Sequence, residues 1–201
     1  PFGNDYMLQH LNPNWENTMT CVPCSTLPSL QNTSVGLASN NEDSRLYSLK
    51  LHRNAFETFN LINQHFAKNT FLAVQIASAP INKENQSSLK SFRKSLEEII
   101  SWDWGETKIL IEHCDAYKKD SNFDKGFLSL NDEINIAKSI NEYDLGFILN
   151  TGRSFIEGED ISSLINHIDI LSKEEMLKGL MFSGTSRKKN LYGPWKDLHM
   201  P

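Results

Sequence analysis

The sequence lacks the excess of basic residues that nucleic-acid-binding proteins usually carry. Its 201 residues contain 20 Lys and Arg against 25 Asp and Glu, and the formal net charge is −5. The one short basic run, Arg187–Lys189, is typical of a solvated loop. Because an acidic chain has little attraction for phosphate backbones, nucleic acid is not expected as a partner.

It also lacks a long hydrophobic run and a large set of cysteines. No apolar stretch approaches the roughly 18 residues that a membrane-spanning helix needs, so no membrane partner is expected. Three cysteines, an odd number, argue against a disulfide-stapled secreted domain. They favour a reducing compartment, and we predict a cytoplasmic protein.

Two of these cysteines, Cys21 and Cys24, have C-x-x-C spacing. No second pair is present to complete a four-thiolate zinc site. The pair lies where a predicted strand stops at Pro23, and no helix is predicted to begin there and lower a thiol pKa. We therefore interpret the spacing as having no metal or redox role.

What the sequence does contain is a regular alternation of strand and helix patterns. Short apolar runs predict five strands, at residues 18–22, 71–76, around 109–111, 145–149 and 177–182. Helical periodicity predicts helices that begin near residues 5, 40, 87, 129 and 160, the second with Ser39 and Glu42 as a capping box. Leu46, Leu89, Ile161 and Ile165 are among the apolar residues predicted to face the core. Residues 23–39, rich in turn formers, predict a long loop of the kind that often forms a lid.

Strict alternation predicts a parallel sheet covered by helices. A doubly wound nucleotide-binding fold would place a glycine-rich turn after an early strand, but neither G-x-G-x-x-G nor G-x-x-x-x-G-K-[ST] is present. A (β/α)8 TIM barrel instead distributes polar groups over many strand ends. The residues found at such positions here are Ser78, Glu112, Asn150 and Ser183. We therefore predict an α/β, TIM-barrel-like fold.

Only five strands are visible, whereas a TIM barrel has eight. The chain also starts at Pro1 without an initiator Met and stops at Pro201 just after a loop-like segment. We therefore expect a fragment of a longer protein, folded as a single, incomplete barrel domain over residues 1–201.

The most informative stretch runs from Thr107 to Tyr117. Ile109–Ile111 form the continuous apolar run of a strand buried on both faces. Three functional groups then follow at the end where parallel sheets bind ligands, namely Glu112, His113 and Asp115. This strand end is where the sequence predicts chemistry.

Glu112 is predicted to be a general acid or base, because a carboxylate beside a buried run is costly unless it is paired, protonated or bound to metal. The alternative is a salt bridge to a basic residue such as Arg153. Since strand side chains alternate in direction, His113 points to the other side and is either catalytic or a structural histidine. Asp115 either contacts substrate or caps its own turn.

Asn150 and Arg153 form a second constellation. An amide at a strand end can bind a sugar hydroxyl, and a guanidinium offers a fixed fork for a carboxylate or phosphate. That acidic group would belong to a substrate or to Glu112 itself. Ser183 precedes a glycine and either adds a hydrogen bond to substrate or serves turn chemistry.

Several separate segments resemble one known family. They are Ile111–Ala116, Lys125–Leu130, Asn150–Ser154 with Ile156–Gly158, and Met181–Gly184, and Ser101–Trp104 and Tyr192–Pro201 fit as well. On these segments the chain resembles an uncharacterised bacterial family, the domain-of-unknown-function family 4862, which is similar to the xylose-isomerase-like TIM barrels. The resemblance covers nearly the whole chain and implies that a first strand and the last strands of the barrel are missing.

The resemblance also has implications for metal binding. The wider superfamily includes sugar isomerases, epimerases and an endonuclease, many of which bind a divalent metal, and Glu112 matches their first ligand, a Glu that ends the fourth barrel strand. Their Asp-Thr-Gly-His segment reads Asn-Thr-Gly-Arg over Asn150–Arg153, and Ser183 stands where a histidine is expected. A divalent metal is the implied cofactor, but its usual ligands are mostly replaced. We assign no metal ligand and leave the cofactor open.

Together these observations predict a sugar or polyol isomerase or epimerase that transfers a proton next to a carbonyl. The predicted catalytic residues are Glu112, His113 and Arg153, and the predicted substrate-binding residues are Ser78, Asp115, Asn150 and Ser183. The alternatives are a carbohydrate-binding barrel without catalysis and a hydrolase that uses Glu112 with a second carboxylate outside these 201 residues. The expected partner is a small molecule, and the sequence leaves homo-oligomerisation open.

Overall fold

Five parallel strands form a single sheet in the structure, a computed structural model that describes residues 4–119, 123–140 and 142–200. The strands are β1 (Asn17–Thr20), β2 (Phe71–Ile76), β3 (Lys108–His113), β4 (Gly146–Asn150) and β5 (Leu177–Met181). Each strand pairs in parallel with the next one along the chain. In doubly wound folds the strand order reverses at a switch point, whereas the order β1 to β5 found here is that of one side of a barrel.

Helices connect the strands and cover one face of the sheet. They are α1 (Asn4–His10), α2 (Pro23–Ser29), α3 (Glu42–Phe66), α4 (Leu89–Ile100), α5 (Leu130–Ser139), α6 (Thr151–Gly158) and α7 (Ile161–Lys173), with a 3-10 turn at Lys83–Asn85. Side-chain caps define several of their starts, and two of these caps, Ser129 and Asp160, stand where helices were predicted to begin. None of the helices in the described ranges combines the length and apolarity that crossing a bilayer requires.

The main core lies between this sheet face and the helices. Fully buried side chains such as Phe92 of α4, Ile111 of β3 and Phe147 of β4 belong to one apolar cluster. Four residues predicted to face this core are instead at least 40% exposed, namely Leu46, Leu89, Ile161 and Ile165. The buried stripes are narrower than the periodicity suggests, because each helix contacts its neighbours only along part of its apolar face.

The structure contains two helices, α2 and α6, that the sequence did not predict. Residues 23–39 include α2, which begins at Pro23, because proline is well suited to the first helical turn as well as to ending a strand. β1 accordingly ends at Thr20, and Val22 is already the N-cap of α2. A helix that the periodicity did not predict, α6, begins at Thr151 directly after β4.

Two local predictions about caps and cysteines are therefore wrong. The N-cap of α3 is Asn41, whose side chain accepts the Ser44 N–H, so Ser39 does not cap this helix. Cys24 lies in the first turn of α2, contrary to the prediction that no helix follows the C-x-x-C pair. A hydrogen bond with Cys21 lowers the pKa of Cys24, and the same bond raises that of Cys21.

His52 of α3 makes the stability of the fold sensitive to acid. Its Nδ1 atom lies 2.8 Å from the Ser48 carbonyl oxygen, while Nε2 is buried and has no hydrogen-bond partner in the described part of the chain. Burial lowers the pKa of His52 from 6.5 to about 4. Between these values the unfolded chain binds a proton that the folded chain does not, so stability falls as the pH drops. We expect this group alone to cost about 2 kcal/mol between pH 7 and pH 5.

Urea unfolding at pH 7 and pH 5 tests this expectation with His52→Leu. The variant should lose about 2 kcal/mol less than the wild type over this interval. His65→Leu, which removes an exposed histidine from the same helix, is the matched control and should follow the wild type. An equal loss of stability in all three proteins would contradict the assignment.

Candidate active site

The side of the sheet that faces away from the main core carries polar groups at its carboxyl end. Ala73, Leu110 and Ile148 form a separate apolar cluster on this side, which we call the inner face. Glu112 lies two residues beyond Leu110, and Asn150 lies two residues beyond Ile148, so both belong to the same face. The parallel register pairs Glu112 with Ile148, so Asn150 lies two residues further toward the carboxyl edge of the sheet.

Glu112 is paired with a cation at this strand end. Its side chain is 2% exposed, and its Oε1 atom lies 3.0 Å from Nη1 of Arg153 in the first turn of α6. The Asn150 amide donates to the same oxygen at 3.3 Å. This ion pair is the alternative that the sequence left open for Glu112, and it compensates a charge that would otherwise be costly to bury.

Arg153 is held from several sides. Nη1 also lies 2.5 Å from the sulfur of Cys114, and Nη2 lies 3.3 Å from Oδ2 of Asp197 in the carboxyl-terminal segment. Burial works against its charge, but the neighbouring Cys114, Glu112 and Asp197 groups raise the pKa of Arg153. Its Nε–H is buried and has no hydrogen-bond acceptor among the described residues.

Asn150 and Ser183 join β4 and β5 beside this ion pair. The Ser183 hydroxyl donates to Oδ1 of Asn150, whose amide nitrogen also lies 3.3 Å from the sulfur of Met181. Thr151 donates its hydroxyl to the Ser183 carbonyl and accepts the Ser183 N–H, at 2.6 and 3.0 Å. The structure thus brings Glu112, Asn150, Arg153 and Ser183 together, as four of the seven predicted site residues.

His113 and Ser78 lie elsewhere, on the side that faces the helices. His113 is 1% exposed, with Nδ1 at 2.7 Å from Glu133 of α5 and Nε2 at 3.0 Å from Glu157 of α6. Burial opposes its charge, but these two carboxylates raise the pKa of His113 to about 10. The Ser78 hydroxyl donates to Glu133 at 2.5 Å. These two predicted residues therefore share a second cluster behind the inner face.

Asp115 holds the loop after β3. Its Oδ2 atom accepts the backbone N–H groups of Asp124, Lys125 and Gly126 at 2.7, 2.8 and 3.2 Å. Burial raises the pKa of Asp115, while the three N–H groups act in the opposite direction. The geometry corresponds to the turn-capping interpretation, and it places Lys125 where its Nζ lies 3.3 Å from Asp197.

Two side chains of this region were not among the predicted site residues. Gln75 pairs in register with Leu110 on the inner face, and its buried Oε1 has no donor within residues 4–119, 123–140 and 142–200. A polar residue within an otherwise apolar strand was the available signal for it. For Asp197 the sequence offered only its position near Trp195 and His199. It reaches Arg153 because the carboxyl-terminal segment folds back so that Met200 pairs with Gly184.

The described residues at this strand end do not fit a divalent metal. They offer the Glu112 carboxylate, a neutral amide from Asn150 and a hydroxyl from Ser183, while the Asp197 carboxylate lies on the other terminal nitrogen of Arg153. The Arg153 guanidinium stands 3.0 Å from the carboxylate oxygen that a cation would need. Hard divalent cations prefer several carboxylate and carbonyl oxygens, and a fixed positive charge in their midst opposes binding.

A groove of about 740 Å³ lies apart from these strand ends, between α2 and α3. It is lined largely by apolar side chains, among them Leu27, Val35 and Leu51, and Cys24 reaches it. None of the seven predicted site residues lines it. The chemistry assigned to Glu112 therefore does not extend into this groove.

Comparisons with known proteins give one family and several similar folds. The family described as "Domain of unknown function (DUF4862)" matches residues 2–201. "Uncharacterized protein STM3670" from Salmonella typhimurium strain LT2 is 34% identical over 205 residues, which cover 100% of this chain and 63% of that protein. The chain thus spans less than two thirds of the length of this curated relative.

Two solved structures share the fold at low sequence identity. A D-tagatose 3-epimerase-like protein superposes with a TM-score of 0.56 and 17% identity, covering 90% of this chain and 75% of the other. The 3-keto-D-glucoside 4-epimerase YcjR from E. coli, in its apo form, gives 0.51 and 14%, covering 80% and 59%. Together with the strand order, these likenesses confirm the predicted α/β fold, an incomplete TIM-like barrel.

Proposed function

The chain belongs to the DUF4862 family, as its sequence segments predicted, and from that premise we propose that it is a sugar or polyol isomerase or epimerase of the xylose-isomerase-like type. The fold neighbours named as epimerases support a small sugar-like substrate. The observation that carries the proposal is Glu112, a buried carboxylate on the inner face at a strand end, with a guanidinium 3.0 Å away.

Glu112 would transfer the proton. As a general base it takes a proton from the carbon next to a carbonyl, and the electron pair of that C–H bond moves onto the carbonyl oxygen. The resulting enediolate carries a negative charge, which Arg153 stabilises through fixed N–H donors. Return of the proton to the neighbouring carbon gives an isomer, provided that the hydroxyl proton of the deprotonated carbon passes to the former carbonyl oxygen. Return to the opposite face of the same carbon, by a second acid, gives an epimer.

The remaining predicted residues would bind the substrate or support the strand end that carries Glu112. Asn150 and Ser183 bond to each other and offer an amide and a hydroxyl suited to substrate hydroxyl groups. Although we predicted direct roles for His113, Ser78 and Asp115, their positions behind the sheet and in the loop favour holding the strand end in place. All three cysteines are free, which supports a reducing, cytoplasmic location.

Solvent exchange tests the proposed reaction. We expect the full chain to catalyse deuterium incorporation from D2O at the carbon next to the carbonyl of at least one ketose or aldose, because the base exchanges its proton with solvent between removal and return. NMR of a panel of sugars, with heat-inactivated protein as the control, measures this directly. A sugar that binds without any exchange would instead identify a carbohydrate-binding barrel without catalysis.

A hydrolase is the second candidate, and one contact favours it. Glu112 contacts Nη1 of Arg153 and Asp197 contacts Nη2, so two carboxylates flank one cation. Two carboxyl groups are what glycoside hydrolysis requires. Release of nitrophenol from a panel of nitrophenyl glycosides, without deuterium exchange, would favour this candidate over the isomerase.

A further inference from the structure

A second cluster of ionisable side chains lies behind β3, on the side of the sheet opposite to Glu112. His113 from the end of β3 contacts Glu133 of α5 and Glu157 of α6. His167 of α7 approaches the same Glu157, with Nε2 at 3.7 Å from Oε1. These four side chains are 9% exposed or less. The proposed reaction at the inner face uses none of them directly.

Three donor atoms of this cluster converge. One nitrogen each from His113 and His167 and a carboxylate oxygen of Glu157 all lie within 4.8 Å of one another. The His113 Nε2 to Glu157 Oε2 distance is 3.0 Å. Ligand atoms around a tetrahedral zinc ion lie about 3.3–3.6 Å apart, given bonds of 2.0–2.2 Å. Small side-chain shifts would therefore bring all three donors to one ion.

The other ring nitrogen of each histidine is already held by a hydrogen bond. Nδ1 of His113 lies 2.7 Å from Glu133, which also accepts the hydroxyl of Ser78. Nδ1 of His167 lies 3.1 Å from the hydroxyl of Ser154. Metal-binding histidines characteristically donate their second nitrogen to a carboxylate or another polar group, which fixes the ring and leaves the remaining nitrogen for the ion.

One side chain that contacts the cluster is half exposed to solvent. Lys118 lies with Nζ 3.2 Å from Oε1 of Glu157, and its side chain is 49% exposed. Its movement would free that carboxylate oxygen without any change of the backbone. The Ala116 N–H donates to the other oxygen at 3.0 Å and keeps the carboxylate in place.

We propose that His113, Glu157 and His167 bind a zinc-class divalent cation behind β3, at a site separate from the inner face. Two imidazoles and one carboxylate suit Zn²⁺ or Co²⁺ better than Mg²⁺ or Ca²⁺, which prefer oxygen ligands. The ion would link β3 to α6 and α7 and leave one coordination position for water. Because binding is measured without substrate, its outcome is independent of the exchange activity proposed above.

Equilibrium dialysis of the full chain, first treated with EDTA and then exposed to Zn²⁺, tests the site. We expect one ion per chain and a visible Co²⁺ spectrum of tetrahedral type. His167→Gln should lower the affinity by about 100-fold or more, and Ser154→Ala, which removes only the support of the ring, by about 10-fold. His65→Asn, at an exposed histidine, should change nothing.

Several results would overturn the proposal. Wild-type protein that takes up no stoichiometric Zn²⁺ or Co²⁺ would show that His113 and its carboxylates form a charge network only. Unchanged affinity in His167→Gln would exclude the assigned ligand. If this variant does not fold, as judged by circular dichroism, Ser154→Ala and its Co²⁺ spectrum decide the question. Loss of binding in Glu112→Gln would place the ion at the inner face instead.

Discussion

Glu112→Gln is expected to lower the turnover number for carbon-bound hydrogen exchange by a factor of about 10² to 10⁴. The substitution keeps the shape of the side chain and a hydrogen-bond acceptor for Arg153, but it removes the only group on the described inner face that we assign to proton transfer. Substrate affinity should change little, because Asn150, Ser183 and Arg153 remain. The loss should therefore fall on kcat and not on KM.

Steady-state exchange kinetics and a thermal-shift titration with the same sugar separate these effects. Glu97→Gln is the matched control, since Glu97 makes a surface ion pair with Arg93 far from this site. A Glu112→Gln protein that exchanges within threefold of the wild-type rate would refute the assigned role. A variant that loses sugar binding in proportion to turnover would assign Glu112 to binding alone.

Arg153→Met is expected to destabilise the fold by about 3–5 kcal/mol. Methionine fills similar space, but it leaves Glu112, with its side chain 2% exposed, as an uncompensated buried charge. The cost comes from removing one partner only. Arg153→Met combined with Glu112→Gln removes both charges and should recover most of the lost stability.

Urea unfolding of the two single variants and the double variant completes this cycle. The matched control is Arg93→Met, because Arg93 lies 2.8 Å from Glu97 with both side chains about half exposed. An ion pair of similar length at the surface should contribute only about 0.5 kcal/mol or less. If Arg153→Met and Arg93→Met cost the same, burial does not control the energy of the Glu112 pair.

The sequence predicts the sheet and the division of its two faces, because both follow from local patterns. Alternation along a strand is strict, so Glu112 and His113 had to point in opposite directions, and the structure has them so. Strand ends of a parallel sheet also meet at one edge. Asn150 and Ser183 could therefore be expected beside Glu112 although 38 and 71 positions separate them from it in the chain.

Local sequence patterns could not predict the residues that complete each cluster. Glu133, Glu157 and His167 come from three helices, and only the packing of α5, α6 and α7 brings them to His113. Asp197 arrives from an irregular segment that no periodicity describes. Proline at position 23 can mark a strand end or a helix start, and in the structure it is the first residue of α2, while β1 ends at Thr20.

The position of Asp197 bears on whether the proposed site would accept acidic or neutral sugars. Two cations, Arg153 and Lys125, meet at one of its carboxylate oxygens, each at 3.3 Å. An acidic sugar that sought the same two cations would compete with a carboxylate that is tethered to the chain, and a tethered group acts at an effective concentration in the millimolar range or above. A neutral sugar meets no such rival, so under the proposed function we expect the internal carboxylate to disfavour uronates and sugar phosphates.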